Sequence, residues 1–314
     1  MSARKSRREH YVPKFYLDLF GESLFAFDKL TGTVFQTTSK NIALEAGFYD
    51  LAPWIDLEGV IAGNENRMKS GMEELISKMN PAAISQDARI KVSLFIALQS
   101  VRTKEFRSMI QEMGGKVMTQ LVKSDPRSKG LEFKVIMKDE LAQALQAKAI
   151  VSDYVPQIAW MLGNSRWTLL VNRTKVPFWT SDNPVALFNP IDYGDFGGVG
   201  FAVRGIQTHF PLNSGLSLVV LDPTTYDLPP LKIVKKPEAA LYENELQLYN
   251  ATRFVFSSRN DFAMAKKMRE HDETLRNPRE RVTLREVESS GRSIIQITKK
   301  VAKSPEKKSR GVGS

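Results

Sequence analysis

The stretch Trp167-Thr168-Leu169-Leu170-Val171-Asn172-Arg173-Thr174-Lys175-Val176-Pro177-Phe178-Trp179-Thr180 is where the chain changes from a helical to a strand-like pattern. Both ends of this stretch are rich in β-branched and aromatic residues, and polar residues 172–175 separate them, which is typical of strands bounded by a turn. Upstream, apolar residues recur with helical spacing over residues 54–79, 86–119 and 139–161. These segments predict several helices in the first half of the chain.

Strand-like runs flank the helical segments on both sides. Residues 24–27 and 34–37 surround a glycine-containing loop and predict a hairpin, and residues 216–221 predict a buried strand. This order differs from the strict alternation of strand and helix in a doubly wound parallel sheet. The sequence therefore predicts an α+β fold, with a central helical bundle packed on a mostly antiparallel sheet.

Three details of this prediction concern the limits of the helices. Within residues 86–119, the apolar stripe includes Ile90, and Gly114-Gly115 is the expected break. Pro156 is the expected kink in the third helical segment. A further helix is expected from residue 238 to residue 256.

The composition excludes several classes of protein. With 42% hydrophobic and 25% charged residues over 314 positions, the chain is typical of a globular protein. The absence of cysteine excludes thiolate catalysis, iron–sulfur clusters, disulfides and cysteine-ligated zinc. No apolar run approaches the roughly 18 residues of a membrane span. The prediction is a soluble, cytoplasmic protein that makes no membrane contact.

Most of the excess positive charge lies at the two ends of the chain. The net charge is +10, yet residues 1–9 and 299–314 together contain ten basic and two acidic residues. We therefore predict a basic disordered arm over residues 1–9, a single α+β domain over residues 10–298 and a basic disordered tail over residues 299–314. Such tails attract nucleic acid or another polyanion by counterion release, and they are also typical of solubilising termini.

Familiar catalytic motifs are absent. The sequence contains no phosphate-binding loop, dinucleotide-binding glycine motif, nucleophile elbow, zinc-protease motif or EF-hand loop. A zinc site of three histidines would need His10, His209 and His271 together, although they lie far apart in sequence. A cation site built from carboxylates stays open.

One candidate constellation consists of charged residues on predicted helices. Glu58 and Glu65 are seven residues apart and project from nearly the same helix face. Arg102 continues the apolar stripe of the next helix and therefore points towards the interior, where a guanidinium needs a carboxylate or phosphate partner. Glu58 or Glu65 supplies that partner in a structural ion pair; alternatively, one carboxylate holds a metal or moves a proton while Arg102 binds an anionic substrate group.

A second constellation follows the strand-like run that ends at Thr180. Ser181, Asp182 and Asn183 leave this strand together, in a turn fixed by Pro184. Polar groups at a strand end suit catalysis or binding, and the same residues are also typical of an ordinary turn in which Asp182 accepts local N–H groups. A nucleophilic Ser181 would need His10 or His209 as its base.

His10 precedes an aromatic segment. A histidine in this position is either a packed, hydrogen-bonded residue or the group that titrates near neutral pH in a site.

Several motifs follow one another from residue 10 to about residue 258. They are His10-x-x-Pro13-x-x-Tyr16-Leu17 ending in Phe20, Lys40-Asn41, Phe48-Tyr49-Asp50, the pair Glu58 and Glu65, Gln99-x-x-Arg102-Thr103, Phe178-x-Thr180-Ser181-Asp182-Asn183-Pro184, Pro211-Leu212, Asn244, and Ala251-x-Arg253. In this order they resemble a bacterial family known as domain of unknown function 4238. Residues 259–314 match nothing characteristic of that family.

The resemblance implies one fold over most of the chain and no particular reaction. It also implies that His10, Glu58, Glu65, Arg102 and residues 181–183 belong to one pattern. Polar residues in such a pattern are more often part of a site than of the scaffold.

Our leading hypothesis from the sequence is a hydrolase of phosphate esters or phosphodiesters, acting on nucleic acid. Glu65 and Asp182 would bind Mg²⁺ or its water, and His10 would act as acid or base. Arg102, Ser181 and Asn183 would bind the substrate, with Arg102 stabilising phosphate charge. The alternative is a non-enzymatic module that binds a partner or ligand, in which the polar motifs are structural and the loop of residues 189–205 carries recognition.

Overall fold

The computed structural model describes residues 8–49, 57–193, 198–277, 280–289 and 292–299. These residues form an α+β fold, as predicted. The helices are α1 (Lys14–Asp18), α2 (Leu57–Lys78), α3 (Gln86–Val101), α4 (Lys104–Lys123), α5 (Asp139–Val151), α6 (Tyr154–Asn164), α7 (Pro237–Asn250) and α8 (Ala263–His271). The strands are β1 (Arg8–His10), β2 (Leu24–Asp28), β3 (Val34–Thr37), β4 (Leu44–Ala46), β5 (Arg166–Asn172), β6 (Thr180–Ser181), β7 (Ala186–Phe188), β8 (Gln207–Asn213), β9 (Leu216–Leu221), β10 (Leu231–Val234), β11 (Phe254–Ser257), β12 (Val282–Ser289) and β13 (Arg292–Lys299).

The strands form two larger sheets and two isolated pairs. The five-stranded sheet has the order β10-β5-β9-β8-β7, in which only β10 and β5 are parallel. The four-stranded sheet, with the order β3-β2-β11-β6, is antiparallel throughout. The stretch that begins at Trp167 therefore contributes β5 to one sheet and β6 to the other, so its polar residues 173–175 carry the chain between sheets.

The five-stranded sheet lies between the helical bundle and α7. Side chains alternate between its two faces because the period of a strand is two residues. Leu169 and Leu218 face the main core with Phe95 of α3 and Leu162 of α6. Their neighbours face the other way and pack against α7 in a separate cluster: Leu170, Phe178, Val219, Leu221, Val234 and Ala240.

The four-stranded sheet has its own apolar layer. Phe27 of β2 and Val255 of β11 pack with Leu248 of α7, with Phe262 just before α8, and with Trp179. Helix α7 therefore contacts both sheets and positions the segment that joins them.

The predicted helix over residues 86–119 is two helices, and the predicted break is wrong. Helix α3 ends at Val101, and the Thr103 side chain accepts a hydrogen bond from the peptide N–H of Phe106 at 3.3 Å, which caps α4. Gly114 and Gly115 lie inside α4. The segment before α5 packs directly on them and leaves no room for a side chain at either position. A Cβ on Gly115 would lie 2.8 Å from the carbonyl oxygen of Val135. Ile90, expected in the apolar stripe, is 49% exposed.

Two other predicted limits also differ from the structure. The third segment breaks at residues 152–153, between α5 and α6, and Pro156 lies in the first turn of α6, where its missing N–H costs no helical hydrogen bond. The helix expected to reach residue 256 ends at Asn250, and β11 follows. The chain leaves the helix there because Asp182 binds the N–H groups of residues 252–254.

The ends of the predicted domain extend slightly into the predicted tails. Arg8 and Glu9 lie in β1, and Lys299 is the last residue of β13. The other residues of the predicted arm and tail lie outside the described residues, so their disorder stays a prediction. Among the helices in the described part of the chain, none combines the length and apolar character needed to cross a membrane.

Two glycines of α2 provide a matched test of the packing between α2 and α3. A Cβ on Gly71 would lie 2.7 Å from Cβ of Lys91 and 2.9 Å from the carbonyl oxygen of Ala88, whereas a Cβ on Gly63 would have no atom within 4 Å. We expect Gly71→Ala to destabilise the protein by about 1–3 kcal/mol because the helices must separate. Gly63→Ala should stabilise it by about 0.5–1 kcal/mol through helix propensity. Urea unfolding measures both, and equal effects would contradict the close approach.

Candidate functional site

Arg102 lies at the centre of the first polar cluster. It follows the last residue of α3 and is only 2% exposed. Its Nε donates to the Tyr49 hydroxyl at 3.0 Å, Nη1 to Glu65 Oε1 at 2.6 Å and Nη2 to the carbonyl oxygen of His10 at 2.7 Å. The predicted pairing of Arg102 with a carboxylate of the preceding helix is therefore confirmed for Glu65. The side chain of Glu58 lies outside the described residues.

The charge of Arg102 is matched by its neighbours. Burial alone would lower the pKa of Arg102, but Tyr49 and Glu65 raise it above its ordinary value. Burial in turn raises the pKa of Tyr49, although the guanidinium of Arg102 acts in the opposite direction. A charged Arg102 thus joins β1, α2 and the end of α3 through groups that are mostly shielded from water.

A second buried arginine, Arg107 of α4, strengthens the same junction. Its Nε donates to Gln146 Oε1 at 2.9 Å and its Nη2 to the carbonyl oxygen of Phe48 at 2.8 Å, with the guanidinium 3.8 Å from the centre of the Phe48 ring. Gln146 in turn donates to the carbonyl oxygens of Val101 and Thr103 at the corner between α3 and α4. Two guanidinium groups therefore hold the N-terminal segment on this corner.

His10 contributes its backbone and its ring to different contacts. Its carbonyl oxygen accepts from Arg102, whereas the ring Nε2 lies 2.9 Å from the carbonyl oxygen of Ser39. Because a carbonyl oxygen only accepts, Nε2 carries a proton in this contact. The His10 ring therefore ties β1 to the segment between β3 and β4.

Asp182 is 2% exposed, and both of its carboxylate oxygens accept peptide N–H groups. Oδ1 accepts from Thr252 at 2.8 Å, and Oδ2 accepts from Arg253 at 2.9 Å and Phe254 at 3.0 Å. Burial raises the pKa of Asp182, and these three N–H groups, together with Lys29, counteract that effect only in part. The carboxylate holds the start of β11 in place.

Ser181 and residues 183–185 bind the C-terminal part of α7. Ser181 Oγ donates to Gln247 Oε1 at 2.8 Å, and Asn183 Nδ2 donates to the backbone carbonyl oxygen of Asn250 at 3.0 Å. The Asn250 side chain donates to the carbonyl oxygen of Val185 at 3.0 Å. One turn before Gln247, Asn244 accepts from the peptide N–H of Trp179 at 2.8 Å. Side chains at positions 244, 247 and 250 thus form a ladder along α7 that satisfies residues 177–185. Sequence reasoning missed this ladder, although its spacing of three residues was a visible signal.

The predicted site residues fall into two clusters. His10, Glu65 and Arg102 form one, and Ser181, Asp182 and Asn183 form the other. Within the described residues, no hydrogen bond or ion pair joins the two sets directly. Tyr11 directly follows His10, and the charge of Asp182 adds to the burial that raises the pKa of the Tyr11 hydroxyl.

The metal site proposed from the sequence needs several oxygen or nitrogen ligands around one point. Glu65 reaches Arg102 and Asp182 reaches three peptide N–H groups, as described above. Over the described ranges, no group of three or more histidine, aspartate and glutamate side chains is arranged to hold a metal ion.

A family model described as a protein of unknown function, DUF4238, matches residues 8–261. The chain belongs to the DUF4238 family. No curated protein and no solved structure matches it. The resemblance read from the ordered motifs is confirmed, and the match begins at the first residue of β1.

The DUF4238 pattern read from the sequence maps onto contacts between distant segments. Tyr16 is fully buried, and its hydroxyl bonds with Thr180 Oγ1 at 2.8 Å and donates to the carbonyl oxygen of Pro211 at 2.7 Å. Asn244, besides accepting from Trp179, donates to the carbonyl oxygen of Pro177 at 2.9 Å. Residues of one motif therefore form hydrogen bonds with segments that are distant in sequence, and these bonds hold the segments together in the fold.

His209 of this DUF4238 protein lies in a separate buried network. Its Nδ1 lies 2.9 Å from Glu243 Oε1, and its Nε2 lies 3.1 Å from Gln207 Oε1. Ser217 donates to the same Glu243. His209 is therefore bonded to Glu243 and Gln207, and Ser181 donates to Gln247. Ser181 and His209 do not form the nucleophile–base pair that the sequence analysis considered.

The described residues of the predicted loop, 189–193 and 198–205, are held by side chains. Asn189 Nδ2 donates to the carbonyl oxygens of Gly198 and Arg204, and Asp222 Oδ2 accepts from the peptide N–H of Gly205 at 2.7 Å. Burial alone would raise the pKa of Asp222, but the Thr225 hydroxyl, the Gly205 N–H and Thr224 lower it to about 2. Asp222 therefore anchors the base of this loop as a carboxylate.

The first test of this site concerns the carboxylate of Asp182. Asp182→Asn keeps the size but turns one acceptor into a donor that faces a peptide N–H, so we expect a loss of about 1–3 kcal/mol in unfolding free energy. The control is Asp153→Asn, because the exposed Asp153 precedes α6 without a capping bond; its effect should stay within about 0.5 kcal/mol. Unchanged stability of Asp182→Asn would instead indicate a residue kept for function.

The second test concerns the pH dependence that Asp222 contributes. Because its pKa is lowered from 3.8 to about 2 by folding, its stabilisation is complete above about pH 4 and is lost as the pH falls towards 2. Urea unfolding of the wild type and Asp222→Asn across this range should show a difference that shrinks only in the acidic part. A difference that does not change with pH would contradict the lowered pKa.

Proposed function

We propose that this protein is a non-catalytic module that binds a partner protein through the surface of its α4–α5 region. The observation that carries the proposal is a concentration of exposed apolar side chains. Among the described residues, eight of the fifteen large hydrophobic side chains that are exposed lie on α4, α5 or the segment between them: Met118, Leu121, Val122, Leu131, Ile136, Leu141, Leu145 and Val151. Large exposed apolar surfaces are typical of protein interaction sites.

The geometry of this region supports one extended surface. After α4, the chain returns along the same helix, because Val135 N–H donates to Thr119 Oγ1 at 2.8 Å and Gln111 donates to the carbonyl oxygen of Met137 at 3.0 Å. Helix α5 then starts beside it, with Leu141 and Leu145 one turn apart on its exposed side. Exposed residues of α4, of the returning segment and of α5 are therefore neighbours.

The charge around this surface supports an acidic partner. From Met118 to Val151 the chain contains six basic residues, all exposed, against four acidic ones. The basic residues are Lys123, Arg127, Lys129, Lys134, Lys138 and Lys148, and the acidic residues are Asp125, Glu132, Asp139 and Glu140. This small excess of positive charge favours a partner with acidic residues around an apolar centre over a second copy of the same surface. A heterologous partner fits this surface better than a second copy of the chain.

The bonds of the polar motifs also favour binding over catalysis. Asp182 uses both carboxylate oxygens to hold β11, and Arg102 uses all three of its nitrogens to join β1, α2 and Tyr49. A catalytic group needs a face that is open to the substrate. The phosphoester hydrolase, with His10, Glu65 and Asp182 as catalytic groups, Mg²⁺ held by Glu65 and Asp182, and nucleic acid as substrate, stays a prediction and is the competing hypothesis.

The double variant Leu141→Ser with Leu145→Ser removes the apolar centre of the surface. We expect it to lose the partner that the tagged wild-type protein captures by chemical cross-linking in its native cells. The matched control is Ile90→Ser combined with Ile233→Ser, which removes exposed apolar side chains from α3 and β10. The control should capture the same acidic protein as the wild type. Equal capture by both double variants would contradict the proposal, as would a homodimer that depends on Leu141 and Leu145 in sedimentation analysis.

An enzymatic assay separates the competing hypothesis. The purified protein is incubated with Mg²⁺ and bis(p-nitrophenyl) phosphate, alongside His10→Ala and Glu65→Gln. Hydrolysis by the wild type that is lost in both variants, while their melting temperatures are unchanged, would establish the hydrolase and overturn a purely binding role.

A further inference from the structure

A groove of about 300 Å³ opens where the turn between α2 and α3, the junction of α6 and β5, and the loop between β9 and β10 meet. Three prolines, Pro81, Pro223 and Pro230, line it together with Trp167. The charged residues in the lining are Arg89 and Arg166, and no carboxylate is among them. The groove therefore combines apolar rings with positive charge. Its volume is at the lower end of the range for small-molecule sites, which is about 300–1,000 Å³.

Arg89 is fixed in the groove by contacts that leave part of its guanidinium unused. Its Nε donates to the carbonyl oxygen of Gly163 at 2.8 Å and its Nη2 to that of Ser165 at 2.7 Å, and the group stacks on Trp167 at 4.3 Å from the ring centre. Nη1 has no hydrogen-bond partner in the described part of the chain. Burial lowers the pKa of Arg89, so an anion beside it would favour its charged form.

Arg166 also has a donor without a partner. Its Nη1 lies 3.0 Å from Asp227, a nearly fully exposed residue, and such a surface pair is weak. Its side chain is 41% exposed, and its Nη2 makes no hydrogen bond with any described residue. A phosphate oxygen can accept a charge-assisted hydrogen bond from such a guanidinium N–H. Both arginines of the groove thus keep donors for a ligand.

We propose that this groove binds a small molecule that carries a phosphomonoester. Two guanidinium groups match a doubly charged phosphate better than a singly charged carboxylate, because each contributes one positive charge and directed N–H donors. The phosphate accepts from Arg89 Nη1 and Arg166 Nη2, and the organic part of the ligand packs against the proline rings. This site uses none of the residues of the α4–α5 surface, so either proposal stands or fails without the other.

The test uses phenyl phosphate, inorganic phosphate and benzoate as probes, with binding followed by NMR of the arginine Nε–H signals. Phenyl phosphate should bind saturably, shift the Arg166 Nε–H signal and bind more tightly than either inorganic phosphate or benzoate. Arg166→Gln should weaken phenyl phosphate binding about tenfold or more, as expected for the loss of a charged hydrogen bond. Arg173→Gln, at an exposed arginine just after the far end of β5, is the matched control and should bind as the wild type does.

Three results would overturn the proposal. They are no saturable binding of phenyl phosphate, equal weakening in Arg166→Gln and Arg173→Gln, and binding of benzoate as tight as that of phenyl phosphate. Arg166→Gln removes only one exposed ion pair, so its melting temperature should stay close to that of the wild type. Arg89→Lys is a second variant, which keeps the charge but loses the planar fork, and it should also bind phenyl phosphate more weakly.

Discussion

A guanidinium removed from water must be surrounded by acceptors, and this requirement at Arg102 organises the N-terminal half of the protein. Its three acceptors come from β1, α2 and Tyr49, so one side chain determines where three segments meet. Arg107 repeats the arrangement on the next helix, with Phe48 and Gln146 as acceptors. Removing one partner of such a pair is costly because the remaining charge stays buried. The junction therefore acts as scaffold, although charged groups form it.

The C-terminal half depends on a similar arrangement made from amides and one carboxylate. Asn244, Gln247 and Asn250 lie on one face of α7 and bind the segment that passes from the five-stranded to the four-stranded sheet. Asp182 completes this arrangement by binding three N–H groups of the following strand. A segment that crosses between two sheets lacks the regular bonds of either sheet, so side chains must satisfy its backbone.

Local patterns in the sequence were enough for the α+β class, for most helices and strands, and for the pairing of Arg102 with a glutamate of α2. They failed where a distant contact decides the local structure. The break between α3 and α4 accompanies the tertiary bonds of Arg102, and Gly114 and Gly115 stay helical because Val135 and Met137 pack on them. The acceptor role of Asp182 was expected, but its partners lie about 70 residues away rather than in its own turn. The groove between Arg89 and Arg166 has no sequence motif, since residues from distant parts of the chain form it.

The length of the chain between bonded partners affects how the protein folds during synthesis. The Tyr16 hydroxyl reaches residues 164 and 195 positions later, and Asp28 binds Arg253, 225 positions later. Strand β2 cannot pair with β11 until the ribosome has released about 225 further residues. The edge of β2 that faces β11 therefore stays unpaired until then, and long-range pairing of this kind slows folding and exposes the chain to aggregation.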